Sequence, residues 1–386
     1  MTRPVAYEPL SSPTLIDPYG VYAALRANAP VYWHEQMQCW VLTRYDDCRE
    51  ILQNHDVFAR DWRRVGDSIP DEKLTVQSLD PPEVAPLRRI FVNSVKAQDL
   101  KGASFRGGTM IRDAFDRLAG RSDFDLMSEV AAPVAEYLTC ELFGVEPPAA
   151  GSFDAIAYGI ALAMDSGLVP EQSERGTAAA AQLMESVDAW FEAPGASGIV
   201  PTLARSPEFI RAPDTLVRRT LGAMCNAAYS TIYASIGNAT LALLEHPEAL
   251  RRLKEDNELA VTGADELIRF DGPAQGTSRV ATVETTIDDT TIERGHVVLT
   301  LFGAANRDPA QFASPNELVL DRSPNRHLGF GWGAHACFGA EPARHALREY
   351  VARLAAFPRT LELAGEPRRR PTATLRWLQM LPVAFH

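Results

Sequence analysis

The sequence predicts a mainly α-helical fold with small β-sheets. Apolar residues recur at helical spacing over eight long segments, whereas alternating strand patterns are few and short. The predicted helices cover residues 18–28, 45–53, 108–119, 125–143, 174–192, 214–245, 257–269 and 340–356. The predicted strands cover residues 39–43, 280–292 and 297–301, with a turn at 293–295.

We expect residues 1–386 to form a single domain. A chain of 386 residues could hold two or three domains of about 150 residues each. However, the sequence contains no internal repeat, no low-complexity tract and no linker, and its only loose stretches are residues 193–201 and 365–371.

Composition and charge exclude some classes of partner. With 46% hydrophobic and 23% charged residues the chain has an ordinary globular composition. Its net charge of -12 argues against nucleic acid as the main partner, because such binding depends on neutralising phosphates with basic side chains.

The cysteines and the N-terminus predict a cytoplasmic protein. The five cysteines are far apart and form no C-x-x-C pair, which argues against a zinc site and fits a reducing compartment. Residues 1–13 lack the apolar stretch of a signal peptide or membrane anchor, so no membrane association is expected.

The segment of 25 residues from Thr220 to Leu244 carries no charge. Its length would allow a membrane span, but the asparagine, serine and threonine residues within it argue against a lipid-facing helix. A helix over residues 214–245 would be ~48 Å long at 1.5 Å per residue, and it could cross the domain and line a buried site.

The segment Phe330-Gly331-Trp332-Gly333-Ala334-His335-Ala336-Cys337-Phe338-Gly339 closely resembles the cytochrome P450 signature F-G-x-G-x-H-x-C-x-G. The alternatives are a cysteine packed as a small apolar side chain, or a dinucleotide-binding loop, which no hydrophobic strand precedes. The resemblance extends from about residue 17 to the C-terminus. It implies the cytochrome P450 fold, with haem b between the long central helix and the helix after the cysteine loop.

The cysteine loop is where the resemblance places the cofactor's iron. It implies that Cys337 is the axial metal ligand, since a thiolate increases electron density at the iron and favours O–O cleavage. Phe330, Gly331 and Gly339 are expected to contact the cofactor; the glycines would allow unusual dihedrals and direct amide N–H groups at the sulfur. The dipole of the following helix would favour the thiolate.

Two further groups of charged residues match the family. Glu266 and Arg269 match its E-x-x-R pattern, and Arg322 matches the third member of a buried structural clamp. The resemblance also implies cationic partners for the haem propionates, which need pairing inside a protein. These partners are His335, Arg279 and Arg88.

One family histidine is missing from that set. Val84 occupies the position of the histidine in the family's H-x-x-x-R motif, so one propionate contact is expected to be lost or replaced.

The central helix departs from the family's A-G-x-(D/E)-T oxygen-site pattern. Residues Ala227-Ala228-Tyr229-Ser230-Thr231 occupy this register, with Ala227 expected to contact the cofactor. Thr231 keeps the alcohol, but Ser230 replaces the acid and cannot act as a general acid at neutral pH, although it can hold a water. The alternative is that both are ordinary helix residues whose hydroxyls bond to the preceding turn.

Substrate contacts are predicted by position in the family. They are Trp62, Val76, Ala223, Ala227, Gln275, Thr277 and Gln379. Arg60, Arg63 and Arg64 could meet an anionic substrate or a carrier, but the pattern favours a solvated charge cluster.

The resemblance implies a monomeric haem-thiolate monooxygenase that oxidises a small organic molecule in bacterial secondary metabolism. It would use dioxygen and electrons from a ferredoxin and its NAD(P)H-dependent reductase, with Arg344 and Arg348 as a docking patch. The alternatives are a related enzyme without net oxygen insertion, driven by peroxide or catalysing coupling or ring formation, and a non-catalytic relative.

Overall fold

The computed structural model describes residues 6–148, 152–206 and 213–386, the side chain of Glu72 excepted. Helices dominate it and the sheets are small, which confirms the predicted fold class. The α-helices are α1 (Ser12–Ile16), α2 (Tyr19–Asn28), α3 (Tyr45–Gln53), α4 (Val84–Lys96), α5 (Leu100–Leu118), α6 (Ala132–Phe143), α7 (Ser152–Met164), α8 (Ser173–Glu192), α9 (Ile199–Ala204), α10 (Asp214–Glu245), α11 (Pro247–Glu255), α12 (Leu259–Asp271), α13 (Phe302–Ala305) and α14 (Ala340–Ala356).

The strands form one five-stranded sheet and three smaller sheets among the described residues. They are β1 (Val31–His34), β2 (Cys39–Leu42), β3 (Phe58–Ala59), β4 (Phe124–Asp125), β5 (Gly276–Ala281), β6 (Thr285–Ile287), β7 (Thr290–Ile292), β8 (Val297–Leu301), β9 (Leu361–Leu363), β10 (Arg368–Arg369), β11 (Leu378–Met380) and β12 (Pro382–Phe385). The largest sheet has the order β1-β2-β8-β5-β3, in which only the β2–β8 pair is parallel.

Several predicted boundaries need correction. The helix predicted over residues 125–143 begins as a π-helix at Met127–Ala131 and continues as α6, and α5 starts eight residues earlier than predicted. The strand predicted over residues 280–292 is three strands, β5, β6 and β7. The sequence patterns missed six helices entirely, the longer α4, α7 and α11 and the short α1, α9 and α13.

The central helix α10 has the predicted bounds of residues 214–245. Pro213 directly precedes the helix, and Pro247 begins the next helix two residues after α10 ends. Proline has no N–H to donate, so it is not tolerated inside a helix and marks these boundaries. The hydroxyls of Ser230, Thr231 and Thr240 each bond to a carbonyl of the preceding turn, as in the 2.7 Å bond from Thr240 Oγ1 to the Ile236 carbonyl, so these groups are satisfied without charge. None of the described helices, α10 included, has the length and apolarity that crossing a membrane requires.

The main hydrophobic core surrounds α10. This helix packs against α6, α7, α8, α12 and α14, and a continuous cluster of buried apolar residues fills the space between them. The helices therefore hold the middle of α10 rigidly against the segments that precede and follow the cysteine loop.

Candidate active site

A large cavity lies between α10 and the cysteine loop. Its volume is about 850 Å³, toward the upper end of the usual range of roughly 300–1,000 Å³ for ligand pockets. Its other walls include β5, β8, the loop after β3 and the turn after α7, with further residues from α4, α6 and β2. It occupies the place between the central helix and α14 where the sequence predicts the cofactor.

One face of α10 forms a wall of the cavity. The residues on this face recur at i, i+3, i+4, i+7, i+8 and i+11, as one face of an α-helix requires. They are Met224, Ala227, Ala228, Thr231, Ile232 and Ser235. Met224 therefore occupies the wall position predicted for Ala223, which lies about 100° around the helix and is not in the wall.

The backbone of the cysteine loop depends on two glycines. Gly331 and Gly333 have φ angles of 65° and 71°, in the left-handed region that other residues rarely adopt. A Cβ on Gly333 would also lie 2.4 Å from the carbonyl oxygen of Leu52. The loop closes through a 2.9 Å hydrogen bond from the Cys337 amide to the Phe330 carbonyl, which brings the cysteine to the cavity wall.

The Cys337 thiol is exposed to this cavity. Burial within the protein raises its pKa, while the Gly339 amide and then Arg88 and Arg344 act to lower it. Gly339 itself has an ordinary φ of -88°, so the expectation of unusual dihedrals there is wrong, and its amide is what reaches the sulfur. Because α14 begins at the next residue, its N-terminal dipole also favours a thiolate.

The three predicted propionate partners all line the cavity. Arg279 is only 2% exposed, and its Nη1 donates to Thr277 Oγ1 at 3.2 Å and to the Ser278 carbonyl at 2.8 Å. Its pKa is lowered to about 9, first by burial and then by Arg60, against the effect of Asp80. No carboxylate of a described residue forms an ion pair with it.

His335 and Arg88 complete this cationic side of the cavity. His335 Nε2 lies 2.9 Å from Asp80 Oδ1, and burial lowers the histidine pKa while Asp80 raises it. Burial also opposes ionisation of Asp80, but its hydrogen bonds to His335 and to backbone amides prevail and bring its pKa to about 2. Arg88 donates to the Ala336 carbonyl at 2.6 Å, and its guanidinium group lies 4.4 Å from the centre of the Phe338 ring.

The predicted structural clamp residues are brought together behind the cysteine loop. Arg269 donates to both carboxylate oxygens of Glu266 at 2.7 and 2.8 Å, and Arg322 Nε lies 3.0 Å from the same carboxylate. Arg269 also donates to the Asn306, Pro315 and Glu317 carbonyls, so it connects α12 to the segment that precedes the cysteine loop.

The two hydroxyls predicted for the oxygen site have different surroundings. Thr231 lines the cavity and donates to the Ala227 carbonyl at 2.7 Å. Ser230 is buried, donates to the Asn226 carbonyl at 2.7 Å and is not brought to the cavity wall. The backbone bonding that the sequence left as an alternative is therefore present for both, but only Thr231 also faces the cavity.

Most predicted substrate residues lie in the wall. Trp62, Val76, Gln275 and Thr277 line the cavity together with Ala227. Gln379 does not, because it lies in β11 between buried Leu378 and Met380, and the alternation of side chains along a strand turns it to solvent.

The solvated cluster that the sequence favoured around Trp62 is present only in part, because Arg64 is exposed whereas Arg60 and Arg63 are partly buried. Arg60 lines the cavity and donates to Thr277 Oγ1 at 2.7 Å. Arg63 is paired with Asp61 and Glu83, and Arg64 donates to backbone carbonyls. The sequence pattern alone could not predict where these arginine side chains point, because their directions depend on the pairing of β3 with β5.

Sequence reasoning missed the apolar side of the cavity. Val297, Leu299 and Leu301 alternate along β8 and face the cavity, and Met164 at the end of α7 and Leu168 in the turn after it also reach the cavity. The alternation in residues 297–301 could have predicted one wall face, but only the sheet order shows which face is inward.

These residues fit a haem group. The Cys337 thiol faces a cavity of suitable size, as a thiolate-ligated metal requires. Arg88 and Arg279 also line this cavity and have no carboxylate partner among the described residues, so they can pair with the two propionates. A mainly helical fold with this cavity and cysteine loop defines the class of haem-thiolate enzymes.

Comparison with known proteins identifies the family. A model of the family described as Cytochrome P450 matches residues 211–355. The chain is 30% identical to vitamin D(3) 25-hydroxylase of Pseudonocardia autotrophica, over 96% of this chain and 94% of that protein, and 27% identical to the cytochrome P450 monooxygenase PikC of Streptomyces venezuelae, over 96% and 91%. The solved complex of P450BioI with an acyl carrier protein bearing hexadec-9Z-enoic acid has 27% identity and a TM-score of 0.83, covering 97% of this chain and 99% of that one. The chain belongs to the cytochrome P450 family, an enzyme family of the monooxygenase type that binds haem.

Proposed function

We propose that this protein is a monooxygenase that holds haem b through Cys337 and oxidises a small organic molecule in bacterial secondary metabolism. It would use dioxygen and electrons from a ferredoxin and its NAD(P)H-dependent reductase. The observation that carries this proposal is the Cys337 thiol in the wall of a cavity whose opposite side is formed by α10. The test is the absorption spectrum of the reduced, carbon monoxide-bound protein, followed by a substrate-binding screen.

The protein's own residues have distinct roles in this proposal. Cys337 would ligate the metal, with the Gly339 amide and the α14 dipole stabilising its thiolate. Arg88, Arg279 and His335 would bind the propionates. When bound, a thiolate-ligated haem supplies the activation of dioxygen. Glu266, Arg269 and Arg322 would position the backbone behind the cysteine loop and touch no reacting group.

The substrate would lie against the apolar side of the cavity. Met224 and Ile232 of α10 and Val297 and Leu299 of β8 would exclude water and bind an apolar body. Trp62 and Thr277 would orient polar parts of the substrate. The similarity to a relative named vitamin D(3) 25-hydroxylase supports a largely apolar organic substrate.

We also propose that residues 1–386 act as one domain and as a monomer. In support of a single domain, β4 in the first half of the chain pairs with β12 near its last residue, and α5 packs against α14. These contacts join distant parts of the sequence into shared layers.

Proton delivery in this protein would depend on Thr231. No titratable side chain on α10 lines the cavity among the described residues, and the Thr231 hydroxyl can still accept a bond from a water or a substrate group. Its Oγ1 would therefore hold the proton donor near the reacting oxygen. The lack of an acid at Ser230 also favours the second candidate, an enzyme that couples or closes rings without net oxygen insertion.

We expect Thr231→Ala to lower the product formed per electron and to raise hydrogen peroxide release. General acid–base assistance contributes about a hundredfold to ten-thousandfold, so its loss should be measurable. Product, NAD(P)H consumption and peroxide are measured in one assay. When peroxide drives the reaction the variant should lose less activity, because peroxide already carries the protons.

Thr231→Ser is the matched control, since it keeps a hydroxyl at the same position and should restore most of the coupling. Equal coupling in wild type and Thr231→Ala would contradict the role of Thr231 and would favour the ring-forming or coupling alternative.

The ferredoxin site proposed on α14 is pre-organised by an acid. Arg344 Nε donates to Asp265 at 2.7 Å, and Arg348 Nη2 lies 3.5 Å from the same carboxylate, while each side chain stays about a third exposed (33% and 32%). The docking patch is therefore partly neutralised, which the sequence did not reveal.

Neutralising both with Arg344→Gln and Arg348→Gln should slow reduction by ferredoxin and reduce its salt dependence, because steering depends on the local patch. Stopped-flow reduction at several ionic strengths measures this. Arg175→Gln on α8, which packs against α7 and α10, is the control. Unchanged rates in the double variant would place the docking site elsewhere.

A further inference from the structure

Two arginines at the cavity share a single hydroxyl acceptor. Arg60 Nη1 donates to Thr277 Oγ1 at 2.7 Å, and Arg279 Nη1 donates to the same oxygen at 3.2 Å. Both side chains line the cavity. The structure thus holds two guanidinium groups close together on one wall.

The β-sheet causes this proximity. β3 pairs with β5 in antiparallel register, with Phe58 opposite Ala281 and Ala59 opposite Val280. Continuing this register by one residue places Arg60 opposite Arg279. The pairing therefore brings together two cations that are more than two hundred residues apart in the sequence.

Neither guanidinium forms an ion pair with a carboxylate in the described part of the chain. Arg60 donates its Nε to the Gln77 carbonyl at 2.8 Å, and its remaining bond is to Thr277. Among the described residues no carboxylate lies within ion-pair distance of either side chain. Asp80 is the nearby acid, but its oxygens accept the backbone amides of Arg60 and Asp61 and the ring of His335.

Burial makes this arrangement costly unless an anion joins it. For both arginines burial lowers the pKa, and the repulsion from Arg60 lowers that of Arg279 further. Arg279 is buried and Arg60 is partly buried, so an anion that accepts hydrogen bonds from both would stabilise this pair of like charges. A carboxylate matches the planar fork of guanidinium groups.

The residue at position 84 brings no cation to this side of the cavity. Val84 is 2% exposed, begins α4 and packs in the hydrophobic core, one turn before Arg88 on the same helix. It contributes no donor to the cavity, so the cationic side would otherwise have one donor fewer.

We propose that Arg60, paired with Arg279 across Thr277, binds a haem propionate and takes the place of the histidine that Val84 replaces. This inference rests on the proposed function, because it requires bound haem. It adds a residue of the loop after β3 to the cofactor site, whereas the sequence favoured a solvated cluster there.

The test measures haem retention without substrate. Ferric Arg60→Gln protein is mixed with excess apomyoglobin, and haem transfer is followed by absorbance. We expect haem to leave the Arg60→Gln protein at least about tenfold faster than the wild type, because the loss of one charge-assisted hydrogen bond corresponds to a factor of this size. The reduction potential should also become more negative, since a cation near the cofactor is lost.

Arg60→Lys keeps the positive charge and should restore much of the retention and of the potential. Arg89→Gln is the matched control, because Arg89 is exposed and adjacent in sequence to Arg88. Circular dichroism of each haem-loaded protein shows whether Arg60→Gln still folds; should it not fold, the Arg60→Lys protein decides alone, since a propionate contact predicts faster haem transfer than in wild type and no contact predicts equal transfer.

The outcomes separate the two proposals. Wild-type protein without a red-shifted carbon monoxide band would overturn the proposed function itself. A normal wild type with wild-type haem transfer and potential in Arg60→Gln would overturn only the assignment of Arg60. Unchanged haem transfer with weakened binding of carboxylate-bearing substrates would show instead that Arg60 binds the substrate.

Discussion

Cys337→Ala is expected to abolish the red-shifted Soret band of the reduced, carbon monoxide-bound protein. This band requires a thiolate on the metal, and Cys337 is the cysteine whose thiol is exposed to the cavity in the loop that precedes α14. The loss should be complete rather than partial, because no other side chain of the loop can supply a thiolate. Difference spectra of dithionite-reduced protein with and without carbon monoxide measure it.

Cys140→Ala is the matched control. Cys140 is half-buried in α6, and its thiol pKa is raised to about 12 by burial, so it stays a neutral thiol and should leave the spectrum unchanged. Cys39 is a stricter comparison, because it also lines the cavity. A red-shifted band that survives in Cys337→Ala would reject the assignment of the ligand, and its loss in Cys39→Ala instead would transfer that role to β2.

Glu266→Gln should lower the free energy of unfolding by about 3–5 kcal/mol, the usual cost of removing one partner of a buried charge group. The substitution leaves Arg269 and Arg322 without their common counter-charge, and both are buried. The Glu266 carboxylate also accepts the Val319 amide at 2.9 Å, so the segment before the cysteine loop should loosen as well. Urea denaturation followed by circular dichroism, together with haem content after purification, measures both effects.

Glu248→Gln is the matched control for the clamp. Glu248 and Arg251 form an i,i+3 pair on α11 with the same spacing as Glu266 and Arg269, but this pair is exposed to solvent. Solvent screens exposed pairs, so the denaturation midpoint should hardly move. Equal effects of the two substitutions would contradict a structural role for the buried pair.

Some elements followed directly from local sequence. The predicted bounds of α3, α10 and α14 match the structure, because each combines clear apolar periodicity with a stop or start signal nearby. The helix α7 was missed because its sequence is apolar almost all round, which removes the periodicity that marks a helix. The strands β3 and β4 have only two residues each, too few to show an alternating pattern, and they are defined only by their pairing with β5 and β12.

The sequence by itself predicted the cysteine loop, the Glu266–Arg269 pair and the central helix, since each depends on residue types within one short segment, whereas Arg322 was found only through the family resemblance. Only the tertiary structure decided the directions of side chains and the meeting of distant segments. The register of β3 with β5 brings Arg60 to Arg279, the turn of α10 places Met224 rather than Ala223 in the wall, and Asp265 pairs with Arg344. The physical reason is that hydrogen-bond register and packing, which join residues from tens to hundreds of positions apart, set these contacts, whereas spacing along the chain sets only what lies within a few turns.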